Sequence, residues 1–175
     1  MRREKGFTLV ELIVVIAIVA VLAGVLMLAI NPAALLAKSR DAKRLDDLDN
    51  LNKAISLALA DGEITLAVAS GNSGTGTQDV DGTGWVGLAP ATGRTLGLAK
   101  FISTLPADPV NGACTDAGGG SSTCVYNFGA TATGYEMTAV LESVDNAAKL
   151  TTDGGNQDAA YEIGTSLTIL GAGGS

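Results

Sequence analysis

The N-terminal part of the chain is far more apolar than the rest. Residues 12–30 are all apolar or small, and between residues 7 and 30 only Thr8 and Glu11 are polar. A helix rises about 1.5 Å per residue, so this segment is long enough to cross the hydrocarbon core of a bilayer, about 30 Å thick. It is also longer than the apolar region of a cleaved secretory signal. The pattern therefore predicts a transmembrane helix over residues 7–30.

A second helical pattern follows, with apolar residues on one side only. The apolar positions recur at spacings of three and four, and Asp61-Gly62 supplies a stop signal. They are Leu45, Leu48, Leu51, Ile55 and Leu59. This spacing predicts an amphipathic helix over residues 31–61. The charged run at residues 40–47 is typical of a solvated face, with salt bridges between subunits as the alternative.

The remainder, residues 62–175, is rich in Gly, Thr, Ala and Ser and predicts a β-rich head with long loops. Apolar and polar residues alternate over 124–128, 135–142 and 161–170, which predicts three antiparallel strands. Residues 64–69 fit either a strand or an extension of the helix, and residues 95–104 fit a short helix. The predicted fold class is α+β: a long N-terminal helix packed on a small antiparallel sheet.

Composition excludes several classes of function. The net charge of −7 and the pI of about 4.4 argue against binding to a nucleic-acid backbone. The chain has no His, which removes the usual general base and the commonest metal ligand. It also lacks phosphate-loop, nucleophile-elbow and paired C-x-x-C motifs. We therefore predict a protein that is not an enzyme and that needs no cofactor.

Two positions are expected to weaken the helical segments. Gly24 lies inside the apolar run. Pro32 lacks a backbone N–H, so it predicts a kink or local melting if one helix continues through it. The alternative is that Asn31-Pro32 begins a second helix, with Pro32 in its first turn.

Cys114 and Cys124 enclose nine residues rich in Gly and Ser. In an exported domain with two cysteines, they are expected to form a disulfide.

Glu11 is the most informative single residue of the apolar segment. An ionised carboxylate one turn inside such a segment costs several kcal/mol, about 2.5–3.5, unless it is paired or near the interface. The nearby cations are Arg2, Arg3 and Lys5. Cleavage just before Phe7 would create another, a new α-amino group one helical turn away, on this subunit or on a neighbour.

The segment Lys-Gly-Phe-Thr-Leu-Val-Glu-Leu at residues 5–12 follows a short basic leader and precedes the apolar run. It resembles the class III signal of type IV pilins and pseudopilins, and the resemblance extends to about residue 59. It implies a leader at residues 1–6, cleavage by prepilin peptidase between Gly6 and Phe7, and N-methylation of Phe7. It also implies that Glu11 pairs with an N-terminal amine during assembly, and that the helix loosens near Gly24 and Pro32.

The resemblance implies a structural subunit of a type IV pilus, polymerised through its N-terminal helix. The alternative is the major pseudopilin of a type II secretion system, which the element at residues 105–109 also resembles. The implied partners are copies of the chain or related pilins, prepilin peptidase, the inner-membrane assembly machinery and, before assembly, membrane lipid. The implied location is a single-pass membrane protein with its head outside the cytoplasm, then an extracellular pilus or a periplasmic pseudopilus.

Some pseudopilins hold calcium in the loop before their final strand. By that similarity, Asp145, Asp153 and Asp158 are possible ligands. Acidic, Gly-rich turns are common without a metal, so the sequence assigns no metal site.

Overall fold

The computed structural model describes residues 6–29 and 31–171. These residues belong to two compact units, one ending at Leu36 and the other beginning at Ala37. The first unit contains helix α1, Leu9–Ala29. This helix is long and apolar enough to cross a membrane, and its side chains from Leu9 to Met27 are exposed. The predicted apolar helix is therefore present.

Helix α2, Pro32–Ala60, continues into the second unit and supplies one side of the head's core. Leu48, Leu51 and Ile55 are fully buried, whereas Leu45 and Leu59 are half-buried. The apolar face predicted from their spacing is therefore the face that packs. Helix α2 ends at Ala60, and Gly62 follows at a φ of 65°, which suits glycine.

The rest of the head is built from six short strands. These are β1 (Ala69–Asn72), β2 (Gly112–Thr115), β3 (Ser121–Cys124), β4 (Tyr126–Ala130), β5 (Tyr135–Ala139) and β6 (Tyr161–Gly164). Four of them form one antiparallel sheet in the order β1-β4-β5-β6, and β2 and β3 form a separate hairpin. Two 3₁₀ helices lie at Gly97–Lys100 and Val144–Thr151.

The sheet presents alternate residues to two different environments. Its inner face contributes Tyr126, Phe128, Tyr135 and Met137 to the core shared with α2. The Tyr126 hydroxyl donates to Asp47 and the Tyr135 hydroxyl donates to Asn52, so both polar tips reach partners on the helix. The outer face carries the intervening residues, among them Glu136 on β5 and Glu162 on β6.

The three predicted strands are present with altered bounds: β4 begins at Tyr126 rather than at residue 124, and β5 ends at Ala139 rather than at residue 142. The last strand is shortened most. β6 stops at Gly164, and residues 165–171 leave the ladder instead of continuing it to residue 170. The backbone N–H groups of Ile169 and Leu170 donate to the Glu136 side chain rather than to a strand. The alternating pattern of residues 165–170 therefore belongs to a segment that packs across the sheet.

Two further sequence assignments need correction. Residues 64–69 form neither a full strand nor a helix extension: Ile64 makes one isolated bridge to Pro90, and only Ala69 belongs to β1. The helix predicted over residues 95–104 is a single 3₁₀ turn at Gly97–Lys100. Strand β1, the β2–β3 hairpin and the second 3₁₀ helix were not predicted.

The β2–β3 hairpin contains the predicted disulfide. Cys114 and Cys124 are joined with a Cα–Cα distance of 5.8 Å. At its turn, Asp116 accepts hydrogen bonds from the N–H groups of Gly118 and Gly120, both at 2.9 Å. The covalent bond thus closes a loop whose own side chains bury little apolar surface.

Replacing both cysteines by Ser is expected to lower the free energy of unfolding of the head by about 2–3 kcal/mol, because the unfolded chain regains loop entropy. Urea unfolding of the full chain in detergent micelles measures this through the fluorescence of Trp85, the single tryptophan. A reductant should shift the wild-type curve and leave the double variant unchanged. Equal stability of the oxidised and reduced wild type would contradict the expectation.

Candidate assembly site

The start of α1 is a capping box formed by Thr8 and Glu11. The Glu11 N–H donates to Thr8 Oγ1 at 3.3 Å, and the Thr8 N–H donates to Glu11 Oε2 at 2.8 Å. The Thr8 hydroxyl also donates to Oε2, at 2.9 Å. This reciprocal arrangement satisfies two backbone donors that a helix start would otherwise leave free. Glu11 therefore has a local role that sequence reasoning missed, although the spacing Thr-x-x-Glu is a readable signal.

The hydrogen bonds that Glu11 accepts within residues 6–29 all end on one oxygen atom, Oε2. The other oxygen, Oε1, accepts none from these residues. A carboxylate can accept several hydrogen bonds at once. Glu11 can therefore cap its own helix and bind a second cationic group at the same time.

Gly6 and Phe7 lie just before the helix, in backbone without regular structure. Phe7 is 89% exposed, and a Cβ added at Gly6 would meet no atom of residues 6–29 or 31–171 within 4 Å. The bond between them is therefore open to another protein, and the chain's own packing does not require glycine at position 6.

The surface of α1 is apolar around its whole circumference. From Leu9 to Met27 the side chains are exposed on all sides, and Glu11 is the one charged residue in that stretch. A helix that is apolar all round needs lipid or other helices to cover it. Gly24 is part of this surface, and a Cβ added there would have no atom within 4 Å among the residues that the structure describes.

Asn31 and Pro32 begin α2. Asn31 Oδ1 accepts hydrogen bonds from the N–H groups of Ala33 and Ala34 at 3.2 and 3.3 Å, as an N-cap side chain does. Pro32 occupies the first helical position, where its missing N–H costs nothing. The structure thus shows the second of the two alternatives for Asn-Pro. Ile30 lies outside the described residues, and loosening at Gly24 and Pro32 stays a prediction.

The charged run at residues 40–47 is not simply a solvated face, because Asp41 and Arg44 are fully buried. The Arg44 guanidinium donates to both carboxylate oxygens of Asp108 at 2.7 and 3.0 Å. It also donates to Asp41 at 2.9 Å and to Glu142 at 2.7 Å. Arg44 is therefore the centre of an ion-pair network that joins α2 to two distant segments of the head.

The other members of the network complete its hydrogen bonding. Asp41 accepts from the N–H groups of Glu142 and Ser143 at 2.9 and 2.8 Å and from the Asn146 side chain at 2.9 Å. Arg40 donates twice to Glu142, at 2.7 and 2.9 Å. The buried charges are thus paired and hydrogen-bonded, which is what makes their burial tolerable.

Electrostatics keep the network ionised. Burial alone would lower the pKa of Arg44, but the hydrogen bonds to Asp108 and Glu142 outweigh it, so its pKa lies above the ordinary value. Burial alone would raise the pKa of Glu142, but the hydrogen bonds from Arg40 and Arg44 outweigh it and the pKa is lowered. The contribution of Glu142 to stability is therefore present above its ordinary pKa of 4.5 and is lost as the pH falls below it.

Residues 1–27 match the family model described as the prokaryotic N-terminal methylation motif. The chain carries a class III signal peptide. This is the signal of type IV pilins and pseudopilins, which are structural subunits, and it implies processing by prepilin peptidase and assembly with like subunits. No curated protein and no solved structure matches the chain.

The class III signal peptide and the capping box overlap. The matched residues include Gly6, Phe7, Glu11 and Gly24, and they end before Asn31. Glu11 thus lies within the matched signal and also closes the first turn of α1. The head lies outside the matched residues, so its fold and contacts rest on the structure alone.

The possible calcium ligands do not form a metal centre in the described part of the chain. Asp145 pairs with Lys38 at 3.1 Å on the surface. Asp153 accepts hydrogen bonds from the N–H groups of Gly155 and Glu162 at 3.0 and 2.8 Å. Residues 6–29 and 31–171 contain no cluster of three or more His, Cys, Asp or Glu suited to a metal ion.

Proposed function

We propose that this chain is a structural subunit of a type IV pilus and has no catalytic role of its own. After prepilin peptidase removes residues 1–6, Phe7 is the N-methylated first residue. Helix α1 then leaves the lipid and packs among the α1 helices of identical or related subunits. One observation carries the proposal: an apolar helix exposed on all sides, with a single charged residue at its capped start.

The apolar surface of α1 does not by itself distinguish one arrangement of packed helices from another. Only the position of Glu11 does so. Lipid and apolar helices are similar surroundings, so exchanging one for the other costs little. A buried carboxylate without a cation costs much more. Glu11 therefore penalises every arrangement in which no amine reaches it. Its Oε1 is suited to the α-amino group of Phe7 of a neighbouring subunit, while Oε2 keeps the helix cap.

In this proposal the head stays outside the cytoplasm from insertion onwards. The Arg44 network is formed within one subunit, so it fixes the head on α2 before any contact between subunits. Ala37 to Ala60 of α2 and the head would then enter the filament as one body. The finished filament lies on the cell surface.

A second candidate is the major pseudopilin of a type II secretion system. It is favoured by residues 105–109, which resemble the corresponding element of those proteins. In this chain the element is part of the core: Leu105 is fully buried, Pro106 accepts a hydrogen bond from Trp85, and Asp108 holds Arg44. Such a subunit would form a short periplasmic filament.

Intact mass and N-terminal sequencing of sheared surface material from the native host test these proposals. A protein that begins at Phe7 with one added methyl group, enriched in the sheared fraction, is the expected result. A protein that begins at Phe7 and stays with the cells would favour the pseudopilin. A protein that keeps Met1, or begins near Ala34 or Ala37, would contradict both.

A Gly6→Val variant tests whether the peptidase needs glycine at position 6. Because a Cβ at position 6 meets no atom of the residues that the structure describes, the substitution should leave their fold unchanged. We expect the variant to keep Met1 and to remain in the membrane fraction. Normal processing of this variant would count against recognition of Gly6 by the peptidase.

A further inference from the structure

Two carboxyl groups lie buried side by side on the outer face of the sheet. Glu136 on β5 is fully buried and Glu162 on β6 is 2% exposed. In the β5–β6 register, Glu136 pairs with Gly164 and Thr138 pairs with Glu162, which makes the two acids diagonal neighbours on one face. Neither acid takes part in the Arg44 network or in the assembly site.

Each carboxyl group uses one oxygen atom to hold a segment that covers the sheet. Glu136 Oε2 accepts hydrogen bonds from the N–H groups of Ile169 and Leu170, both at 2.7 Å. Glu162 Oε2 accepts from the N–H of Gln157 at 2.7 Å. The Gln157 side chain donates to the carbonyl of Leu170 at 2.8 Å, which links the two segments. We call residues 165–171 the C-terminal strap.

The covering segments pack closely. A Cβ added at Gly155 would lie 1.8 Å from Glu162 Oε2, and a Cβ added at Gly129 would lie 2.8 Å from a methyl carbon of Leu170. The turn therefore lies directly against the Glu162 carboxyl group, and the strap lies directly against β4. The two acids are enclosed by the strap on one side and by the turn at residues 153–157 on the other.

The second oxygen of each carboxyl group has no hydrogen-bond partner in the described part of the chain. These atoms, Glu136 Oε1 and Glu162 Oε1, are both buried. A buried acceptor without a donor is costly, and two ionised carboxylates that are buried as neighbours repel each other. One proton placed between the groups removes both costs.

We propose that Glu136 and Glu162 share one proton, and that this proton holds the C-terminal strap on the sheet. Loss of the proton leaves two negative charges buried as neighbours on the sheet. The structure can relieve the repulsion by admitting water, which requires the strap or the 153–157 turn to lift. The head thus has a proton-dependent latch on the face opposite α2.

The surroundings of the pair favour the shared proton. Asp153 is the other acidic group acting on Glu162, and it adds negative charge. The strap carries no titratable side chain, and the residue facing the pair from β4 is Gly129. Burial and the neighbouring Glu136 carboxyl group raise the pKa of Glu162 to about 7, and the charge of Asp153 adds to the shift.

The direction of the pH dependence follows from this raised value. The folded head holds the proton more tightly than the unfolded chain, so the stabilisation is complete below the ordinary Glu pKa of 4.5 and is lost as the pH rises through about 7. The equilibrium constant for opening should increase by more than tenfold from pH 5 to pH 8. The upper limit is about 300-fold for a shift of this size.

Hydrogen exchange of the full chain in detergent micelles tests the latch. The quantity measured is the protection of the amides of residues 165–171, corrected for the intrinsic pH dependence of exchange. In the wild type this protection should fall between pH 5 and pH 8. A Glu162→Gln side chain can donate permanently to Glu136 Oε1 and still accept from Gln157, so this variant should keep its protection throughout. Asp158→Asn also replaces a carboxyl group by an amide, but at an exposed position in the neighbouring segment. This variant should show the pH dependence of the wild type.

Trp85 fluorescence at pH 5 verifies that each variant is folded, and Glu136→Gln provides the same test from the other strand. The proposal fails if wild-type protection is flat over this pH range, or if Glu162→Gln keeps the wild-type pH dependence. It also fails if calcium ions alone restore protection of the wild type at pH 8, because the pair would then bind a cation in place of the shared proton.

Discussion

Arg44→Met is expected to lower the free energy of unfolding of the head by about 3–5 kcal/mol. The substitution keeps the length and the apolar stem of the side chain but removes the cation that pairs with Asp41, Asp108 and Glu142. Asp41 and Asp108 would stay buried with hydrogen bonds from N–H groups but with no guanidinium. Urea unfolding of the full chain in micelles, followed by Trp85 fluorescence, measures the loss.

Lys43→Met is the matched control, since it removes one positive charge from the adjacent residue. Lys43 pairs with Asp47 at 2.6 Å, but its side chain is 55% exposed, and exposed pairs of this kind contribute less than about 1 kcal/mol. The deficit of Arg44→Met should shrink at low pH, because protonation of the remaining carboxyl groups removes the unpaired charges. Equal losses in the two variants would show that burial of Arg44 is not what matters.

The sequence predicted the elements that depend on a regular apolar period. The apolar segment and the spacing of Leu48, Leu51 and Ile55 correspond to α1 and to the buried face of α2. The strands at β4 and β5 were found because their inner residues are large and apolar. In both cases a single repeating environment, lipid or core, sets the pattern.

Strands without such residues could not be found in this way. β1 reads Ala-Ser-Gly-Asn, in which Ala, Gly and Asn are depleted in strands, and β3 reads Ser-Ser-Thr-Cys, which has no large apolar residue. β1 forms because it pairs along its whole length with β4, and the hairpin is closed by the disulfide. These strands are stabilised by partners distant in the chain, and local strand propensity carries no information about such pairing.

The polar sites differ in how far they could be predicted from the sequence. Thr8 and Glu11 carry a local signal, the capping-box spacing, which was present in the sequence and overlooked. The burial of Arg44 had no local signal, because its partners Asp108 and Glu142 lie 64 and 98 residues away. Glu136 and Glu162 occupy positions that alternation assigns to solvent. They are buried because the strap folds across Glu136 and the turn at residues 153–157 covers Glu162.

Glu11→Gln is expected to abolish filament assembly while leaving membrane insertion and cleavage intact. Gln can replace Glu in a capping box, so the start of α1 should keep its hydrogen bonds with Thr8. The charge is lost, however, and an amine buried in the helical bundle then has no carboxylate. Removing one partner of a buried ion pair costs about 3–5 kcal/mol, which corresponds to a hundredfold or larger change in an equilibrium. The amount of mature protein in the sheared surface fraction, relative to the membrane fraction, measures the effect.

Thr8→Val is the complementary variant, because it weakens the helix cap and leaves the charge of Glu11 in place. This nearly isosteric change removes the hydroxyl that donates to Oε2, at a cost of about 1 kcal/mol to the helix start, and keeps the carboxylate charge. Filaments should still form. If Glu11→Gln assembles normally, the carboxylate serves only as a helix cap. If both variants fail alike, the charge of Glu11 is not the only property of this helix start that assembly requires. If only Glu11→Gln fails to form filaments, the negative charge of Glu11 is what assembly requires.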